Sequence, residues 1–343
     1  MIRMGLIGLG GISKTHIRTY KAMGDRVTLQ AAAEINEALL NEVCDREAIP
    51  ERYTDPLKLI REAHIDALTI CMPPVGRAEL IGAAVARGIP VLCEKPMATT
   101  EEEARRIEKI CAASDVPVLV NFKMRQGDNF QKIKEFLEKP GVGKPLTILC
   151  RYALVTDLAI WQPPKWFWDM KTSGGLLIEN GGHIIDYLLW IAGGVDRLYA
   201  YLEQKTIADR PEAYMRETQT EDNAILIMKH QGGCTTTLLN TICYPGNRDA
   251  SLEIATSGGY FIELSECKHL RIRSGEQIIL DAPDERYGVG DCYTSKHFIN
   301  DVLLDGQKPF VDYRDGAAAL RIALAARASA RKNAWVVPGG LEE

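Results

Sequence analysis

Short apolar runs alternate with helix-period segments along the first 122 residues of the chain. In the intervening segments apolar residues recur every three or four positions, which is the spacing of one helix face. Strands that alternate with helices are typical of βαβ units and a parallel sheet. The pattern predicts strands at 2–7, 27–33, 67–71, 91–93 and 116–120, and helices at 14–23, 36–45, 56–63, 77–87 and 100–113.

In the remainder of the chain, apolar runs follow one another without helices between them. Such a succession favours a mostly antiparallel sheet. We therefore predict two domains: residues 1–122, with a parallel sheet, and residues 123–343, with an α+β fold and an open, mostly antiparallel sheet. The later strands are predicted at 146–155, 198–204, 223–230, 233–243, 250–257, 259–265, 269–273 and 276–281, and the later helices at 130–139, 173–192 and 316–332.

Composition and charge exclude several classes of protein. Hydrophobic residues make up 46% of the chain and charged residues 25%, and the net charge of −5 does not favour nucleic-acid binding. No stretch approaches the roughly 18 apolar residues that a membrane helix needs, and glycines break the apolar N-terminal run, which therefore does not read as a signal peptide. Nine cysteines without C-x-x-C or metal-ligand spacing predict reduced, buried thiols in a cytoplasmic protein.

A glycine-rich turn, GLGGIS at residues 8–13, joins the first predicted strand to the first predicted helix. A tight turn lets the backbone approach a pyrophosphate, and the following helix N-terminus attracts its charge. Gly8 and Gly10 fill the first two positions of the G-x-G-x-x-G pattern, and the small Ser13 fills the third. We therefore expect a doubly wound Rossmann sheet whose dinucleotide contacts include Gly8, Gly10, Gly11 and Ile12.

Glu34 ends the second predicted strand, 21 residues after Ser13. A carboxylate at this place accepts hydrogen bonds from the ribose hydroxyls of NAD and repels the 2′-phosphate of NADP. A solvated carboxylate at a strand end would look the same in the sequence. We predict NAD as the cofactor and keep NADP as the alternative.

Glu94-Lys95-Pro96 follows the predicted strand at 91–93. Open α/β sheets bind ligands at the carboxyl ends of their strands, so Lys95 is a candidate for chemistry rather than an ordinary surface charge. Pro96 restricts Lys95 to an extended backbone, and we expect the peptide bond between them to be cis.

Glu179, His183 and Asp186 lie at helical spacing in the second predicted domain. On one helix Glu179 and His183 share a face. Either the three side chains are metal ligands, or Glu179 orients His183 for acid–base work while Asp186 is structural. We favour the second interpretation, because no other histidine or cysteine cluster supports a metal. Gly181 and Gly182 would weaken such a helix, which indicates a close approach by cofactor or substrate.

Taken together, these motifs resemble the Gfo/Idh/MocA family, the glucose–fructose oxidoreductase and inositol dehydrogenase family of NAD(P)-dependent oxidoreductases. The resemblance covers essentially the whole chain. It implies a two-domain enzyme that oxidises a secondary hydroxyl of a sugar or cyclitol, with an open C-terminal sheet that commonly mediates dimers or tetramers. The matching segments are the turn at 8–13, the stretch 65–72 leading to Pro73, Glu94-Lys95-Pro96, 121–125 with Phe130, 173–186 and His297-Phe298.

The resemblance also implies roles for individual residues. Lys95 would hydrogen-bond the reacting oxygen, His183 would be the catalytic histidine, and Glu179 stands where many members have aspartate. Two positions depart from the common pattern: Arg77 replaces a frequent histidine, and Trp168 replaces a frequent arginine. These departures bear on substrate identity more than on the reaction. The remaining predictions are Pro73, Glu94 and Lys95 as cofactor contacts, and Asn121, Arg125, Trp166 and His183 as substrate contacts.

In the expected mechanism the hydroxyl proton passes to neutral His183, Lys95 stabilises the alkoxide, and Glu179 holds the imidazole. An imidazole suits this proton transfer because its unperturbed pKa is about 6.5. The nicotinamide carries the redox chemistry. Two alternatives remain. The protein could be a redox-neutral enzyme with retained NAD, of the epimerase, lyase or glycoside-cleaving type. It could also be a regulator that binds nucleotide and sugar without turnover.

Overall fold

A computed structural model describes residues 1–155, 164–206, 217–244, 249–283 and 292–339, except for the side chains of residues 154 and 155. The chain divides into two compact units. Unit 1 contains Met1–Lys123 and Gly290–Ala317, and unit 2 contains Met124–Val289 and Ala318–Glu343. The predicted boundary after residue 122 lies one residue before this division, and the prediction did not include the return of Gly290–Ala317 to unit 1.

Unit 1 is built on a six-stranded sheet in which every described strand pair is parallel. The strand order is β3-β2-β1-β4-β5-β6, so the order reverses between β1 and β4. This is the order of a Rossmann sheet, and the crevice at such a reversal is the usual ligand site. The strands are β1 (Ile2–Ile7), β2 (Val27–Ala33), β3 (Glu51–Tyr53), β4 (Ala67–Ile70), β5 (Val91–Cys93) and β6 (Val118–Val120).

Three of the five helices between these strands begin at a side-chain cap. The side chains of Asn36, Asp55 and Thr100 each accept a backbone N–H in the first turn of the helix that follows, which satisfies a donor that the helix leaves unpaired. The helices are α1 (Ser13–Ala22), α2 (Glu37–Glu47), α3 (Pro56–Glu62), α4 (Arg77–Ala86) and α5 (Glu101–Ala112). The predicted parallel α/β arrangement is confirmed, and the short edge strand β3 is an addition to it.

Unit 2 contains an eight-stranded sheet in the order β14-β13-β12-β11-β7-β10-β9-β8. Its pairs are antiparallel except for β7 with β10, so the predicted open, mostly antiparallel sheet is confirmed. Buried and exposed residues alternate along β9, as expected when one face is covered. The strands are β7 (Pro145–Val155), β8 (Val195–Glu203), β9 (Asn223–His230), β10 (Thr235–Tyr244), β11 (Asp249–Thr256), β12 (Tyr260–Ser265), β13 (His269–Ser274) and β14 (Gln277–Pro283).

The prediction of one helix over 173–192 is wrong. Three shorter helices occupy this part of the chain, and α6 (Asp128–Leu137) precedes them. Gly174 and Gly175 have φ angles of +73° and +82°, a left-handed backbone that ends the first helix. The three are α7 (Met170–Ser173), α8 (Leu176–Glu179) and α9 (Gly182–Ala192).

The segment that returns to unit 1 contains α10 (Tyr293–His297), which continues as a π-helix at Phe298–Leu304. Phe298, Ile299 and Val302 are buried in the same hydrophobic cluster as core residues of β1 and β2. Burial of these apolar side chains explains why the segment belongs to unit 1. The last helix, α11 (Tyr313–Lys332), contains the boundary between the units. Among the described residues, no helix combines the length and the apolar character that a membrane span requires.

Candidate active site

The glycine-rich turn lies between β1 and α1, as predicted. Gly8 has a φ of +85°, and a Cβ there would lie 2.7 Å from the backbone nitrogen of Met72. Gly8 is therefore required by the neighbouring turn after β4. At Gly10 and Gly11, by contrast, no atom of the described residues lies within 4 Å of a Cβ position. These two glycines leave open space beside the helix N-terminus, which fits the approach of a pyrophosphate.

Glu34 follows β2 and faces the same turn. Its carboxylate accepts the backbone N–H of Leu9 at 2.9 Å and that of Asn36 at 3.1 Å. The carboxylate is half-buried and lies at the carboxyl end of β2. A carboxylate held at this edge can accept hydrogen bonds from ribose hydroxyls and repels a phosphate, so the residues present fit NAD.

The turn after β4 carries Pro73, whose carbonyl accepts the N–H of Val75 at 2.8 Å. β4 pairs directly with β1, so this turn and the glycine-rich turn lie at the point where the strand order reverses. Pro73 is half-buried there. The structure therefore places this predicted cofactor residue at the carboxyl edge of the sheet.

Lys95 lies in the loop directly after β5 and is half-buried. Its backbone N–H donates to the carboxylate of Glu94 at 3.2 Å. The peptide bond between Lys95 and Pro96 is cis, so this prediction is confirmed. Within unit 1, Lys95 thus follows a strand at the same edge as the turns that carry Gly8, Glu34 and Pro73.

A buried polar network holds Glu94. His16 on α1 contacts the Glu94 carboxylate through Nε2 at 2.8 Å and the Ser295 hydroxyl through Nδ1 at 2.7 Å. The amide Nδ2 of Asn121 donates to the same Glu94 oxygen at 2.5 Å, and Asn121 Oδ1 accepts from the Thr294 hydroxyl at 2.5 Å. Asn121, predicted as a substrate contact, therefore uses both ends of its amide inside unit 1.

The charges of this network differ from those of free side chains. Burial alone would lower the pKa of His16, but the neighbouring Cys71 and Cys292 thiols and the Glu94 carboxylate raise it well above the usual 6.5. Burial alone would raise the pKa of Glu94, but the contacts with His16 and Asn121 lower it. Both directions favour the charged forms, an imidazolium paired with a carboxylate.

In unit 2, Glu179 is the last residue of α8 and His183 lies in the first turn of α9. They therefore do not share one helix, contrary to the sequence argument. Glu179 is half-buried and His183 is buried. The position of α8 is held by Glu221, whose carboxylate accepts the Leu177 N–H at 2.9 Å.

Gly181 lies in the turn between α8 and α9. A Cβ there would lie 2.5 Å from the carbonyl oxygen of Leu177 and 2.8 Å from Oδ1 of Asn240. The prediction that a glycine here permits a close approach is thus met by the chain's own atoms rather than by a ligand. Asn240 also donates to Asn180 Oδ1 at 3.1 Å, which fixes this turn against the sheet.

Arg125 and Asp186 form a buried, bidentate ion pair in unit 2. Nε and Nη2 of Arg125 donate to the two carboxylate oxygens of Asp186 at 2.8 and 2.5 Å. The guanidinium also stacks 5.5 Å from the centre of the Trp190 ring. This geometry agrees with a structural role for Asp186 and gives Arg125, predicted as a substrate contact, an internal partner.

Trp166 lies in a short 3₁₀-helix at Lys165–Trp168. Its half-buried ring packs against a small cluster that contains Phe167, Trp168 and Ile242. The aromatic element predicted from the sequence is therefore partly a core element. Trp166 keeps part of its surface exposed, whereas Trp168 is buried.

Several residues that position the candidate site residues in each unit belong to no sequence motif. Glu221 binds Arg327 at 2.9 Å as well as the Leu177 N–H, yet the three lie far apart in sequence. His16 had a weak signal, since it is a polar residue on the apolar face of α1, next to Ile17. An amphipathic pattern that places a histidine on its buried face indicates a hydrogen-bonded role.

Among the described residues, no group of three or more His, Cys, Asp or Glu side chains is arranged to hold a metal ion. The metal interpretation required Asp186, whose carboxylate is instead paired with Arg125. All nine cysteines lie within the described residues and none forms a disulfide there; eight are buried, as the sequence predicted for these thiols.

Two protein-family models match the sequence. The model described as "Oxidoreductase family, NAD-binding Rossmann fold" matches residues 2–122, and the "GFO/IDH/MocA C-terminal domain" matches residues 130–262. The myo-inositol 2-dehydrogenase of Thermotoga maritima is 26% identical over 334 residues, covering 96% of each chain. The inositol 2-dehydrogenase of Paracoccus denitrificans is 27% identical over 97% of this chain and 89% of its own. A levoglucosan dehydrogenase in complex with NADH has the same fold, with a TM-score of 0.87 at 20% identity over 99% of this chain and 100% of its own.

Proposed function

Because the chain belongs to the Gfo/Idh/MocA family of oxidoreductases, with its NAD-binding Rossmann fold at residues 2–122, we propose that it oxidises a secondary hydroxyl of a sugar, sugar derivative or cyclitol. The observation that carries this proposal is the place of Lys95. This half-buried residue follows β5, at the carboxyl edge of the sheet, which also carries the glycine-rich turn and the turn after β4. A cation at this edge can stabilise an alkoxide beside the nicotinamide.

The residues of unit 1 divide the cofactor between them. The open space at Gly10 and Gly11 would take the pyrophosphate, with Gly8 keeping the turn tight and Ile12 exposed beside it. Glu34 would accept the ribose hydroxyls, which favours NAD over NADP. Pro73, Glu94 and Lys95 line the turns after β4 and β5. Bound NAD supplies the hydride acceptor, and the protein supplies position and charge.

Three side chains would perform the proton chemistry. His183 accepts the hydroxyl proton as general base, since an imidazole exchanges protons near neutral pH. Lys95 stabilises the negative charge that then develops on the oxygen. Glu179 ends α8 and would favour the protonated imidazole and hold its orientation. In the reverse direction His183 returns the proton to the oxygen.

The substrate contacts differ in how directly they would act. Trp166 keeps an exposed part of its ring, which can stack on a sugar or cyclitol ring. Asn121 and Arg125 would support the substrate site indirectly, because their polar groups are hydrogen-bonded to Glu94 and Asp186. The named relatives are inositol 2-dehydrogenases, which makes cyclitols the first substrates to test.

We also propose that two or more copies associate through the outer face of the unit 2 sheet. Thr237 on β10 pairs with Leu149 on β7 and with Ile227 on β9. Two residues before Ile227 on β9, Ile225 pairs with Tyr201 on β8. Leu149, Ile225, Ile227 and Tyr201 are all exposed, so these strands present an apolar face. An Ile227→Lys variant should then elute as a smaller species with light-scattering detection, and an unchanged mass would refute this interface.

The location proposed is the cytoplasm. The support is the state of the cysteines, none of which is in a disulfide although all nine are described. Free thiols persist in a reducing compartment. Fractionation of cells that express the protein tests this directly.

The experiment that tests the function is a substrate panel followed at the NADH absorbance. The panel contains myo-inositol and other cyclitols, aldoses, and amino and acidic sugars, each with NAD and with NADP. We expect NADH to accumulate with at least one member, and turnover to survive a chelator.

Three other outcomes would point elsewhere. Product formation with NADH retained on the protein would identify a redox-neutral enzyme. Binding of nucleotide and sugar without any product would identify a regulator. Loss of turnover on adding a chelator would restore the metal interpretation of Glu179 and His183.

A further inference from the structure

Arg77 is a buried arginine whose side chain does not reach the surface. It is the first residue of α4, after Gly76 with a φ of +73°, and only 1% of its surface is exposed. A buried guanidinium is expected to have hydrogen-bond acceptors around it. The acceptors that Arg77 uses therefore show what its position serves.

Those acceptors are main-chain carbonyls of the two turns at the cofactor edge. Nη1 donates to the carbonyl oxygen of Pro96 at 2.5 Å and also to that of Glu94. Nη2 donates to the carbonyl oxygen of Met72, directly before Pro73. Glu94 and Pro96 are the two neighbours of Lys95. The guanidinium thus bonds to the backbone on both sides of Lys95 and ties it to the turn after β4.

The N–H of Lys95 is held by a second side chain. The Glu94 carboxylate accepts it at 3.2 Å, and that carboxylate is itself held by His16 and Asn121. β5 ends at Cys93, so the sheet ladder does not extend to Lys95. The last bond of strand pairing is the Glu94 N–H to the Ile70 carbonyl at 2.9 Å, and from Lys95 onward side chains bond the backbone.

We propose that Arg77 is a positioning residue that sets the place of the Lys95 side chain by clamping the backbone on both sides of it. The proposal rests on the function proposed for Lys95. It also changes the meaning of the arginine that stands where many relatives have histidine. With Nη1 and Nη2 engaged by carbonyls, Arg77 serves the placement of the lysine rather than the capture of an anionic substrate.

The chemistry of the side chain predicts which replacements retain the function. A lysine at position 77 keeps the charge but offers a point donor instead of a planar fork, so it cannot bridge the same carbonyls. A methionine keeps much of the volume and donates nothing. A displacement of about 1 Å in a reacting group can reduce turnover about 100-fold.

The test compares Arg77→Met and Arg77→Lys with a matched control at the other end of the same helix. Arg87 follows α4 and also donates to main-chain carbonyls, those of Ile60 and Ala63. Arg87→Met removes a similar clamp far along the helix from Lys95. All variants are assayed with NAD and the most rapidly oxidised member of the panel, and their NADH dissociation constants and melting temperatures are measured.

We expect kcat to fall about 100-fold in Arg77→Met, with smaller changes in KM and in NADH affinity. Arg77→Lys should recover part of kcat, and Arg87→Met should leave kcat unchanged even if it lowers the melting temperature. A folded Arg77→Met protein with normal kcat would overturn the proposal. If Arg77→Met does not fold, Arg77→Lys decides: a reduced kcat supports the clamp, and a normal kcat refutes it.

A double variant separates this inference from the proposed function. If Arg77 acts through Lys95, then Lys95→Met with Arg77→Met should be no slower than Lys95→Met alone. A multiplied loss would show that Arg77 acts by another route and would overturn the proposal. Full activity in Lys95→Met alone would instead refute the role of Lys95, whatever Arg77 does.

Discussion

The two units fix their candidate catalytic side chains in different ways. In unit 1, Lys95 follows a parallel strand, and the buried, charged side chains of Arg77 and Glu94 form hydrogen bonds with the backbone around it. In unit 2, Glu179 and His183 lie on separate short helices, and glycine turns and remote polar residues decide where those helices lie.

The difference shows what each kind of fold can supply. A parallel sheet brings the carboxyl ends of its strands to one edge, so a loop there needs only local restraint. An antiparallel sheet supplies no such edge, and the helices of unit 2 need long-range restraints such as the contacts of Glu221 and Asn240. Reactive groups in unit 2 should therefore depend on residues that are distant in sequence.

The largest expected effect comes from removing the reactive groups themselves. Lys95→Met in unit 1 and His183→Ala in unit 2 should each lower kcat by about 10² to 10⁴-fold, because in the proposed mechanism each supplies charge or proton transfer. NADH should still bind, as measured by its fluorescence. The exposed Lys109→Met and His64→Ala variants are controls and should retain turnover. Near-normal turnover in either active-site variant would remove that unit from the chemistry.

The next effect concerns stability and distinguishes a buried ion pair in unit 2 from an exposed one in unit 1. Asp186→Asn leaves the buried Arg125 without its charged partner and should lower the free energy of unfolding by about 3–5 kcal/mol. Asp66→Asn breaks the largely solvated pair with Arg3 and should cost much less than the loss of the buried pair. Urea unfolding measures both changes. Equal losses would contradict the structural role of the buried pair.

Glycine replacements give a third comparison. Gly181→Ala in unit 2 forces a methyl group against the Leu177 carbonyl and should destabilise by about 1–3 kcal/mol. Gly10→Ala in unit 1 adds a methyl group to open space and should leave stability nearly unchanged while weakening NADH binding. Thermal unfolding and an NADH titration separate the two effects. A Gly10→Ala protein with unchanged NADH affinity would argue against a pyrophosphate at this turn.

The smallest effect is a pH dependence of opposite sign in the two units. The pKa of His16 is raised in the folded state, so its stabilisation is complete below the unfolded value of 6.5 and is lost as pH rises through the folded pKa. Burial lowers the pKa of His230 in unit 2, although its bond to the Gly193 carbonyl opposes the shift. The contribution of His230 is therefore complete above 6.5 and falls as pH decreases below that value.

The two opposite pH dependences can be measured as the free energy of unfolding at pH values below and above 6.5. Relative to the wild type, His16→Gln should lose the decrease on the alkaline side, and His230→Gln should lose the decrease on the acid side. Glu94 contributes differently, because its pKa is lowered and its stabilisation disappears only in acid. Identical profiles for the two variants would contradict the assigned charge states.

Much of unit 1 could be predicted from local pattern. The strands β1, β2 and β5 match the predicted ranges at 2–7, 27–33 and 91–93, because buried parallel strands are continuous apolar runs. β3 was missed because Glu51-Arg52-Tyr53 lacks such a run. The return of Phe298 to this unit was also missed, since no local pattern records which core a buried helix joins.

Less of the candidate site in unit 2 could be predicted. The spacing of Glu179 and His183 suggested one helix, but Gly174, Gly175 and Gly181 divide the segment. The sequence showed the glycines, but it did not show which contacts require a glycine at these positions. Gly181 is required by the Leu177 carbonyl and by Asn240, which is 59 positions later in the chain.

The sequence by itself determined the class of fold, the family and the residue types available for chemistry, because apolar periodicity and short motifs are local properties. It placed Lys95 at a strand end and Glu34 after the second strand. Only the tertiary structure decided which groups Arg77, Arg125 and Asn121 contact within the protein, since a guanidinium or an amide looks the same in a sequence whatever its partner. Burial leaves such groups to find partners within the chain, and those partners lie on elements that meet only when it folds.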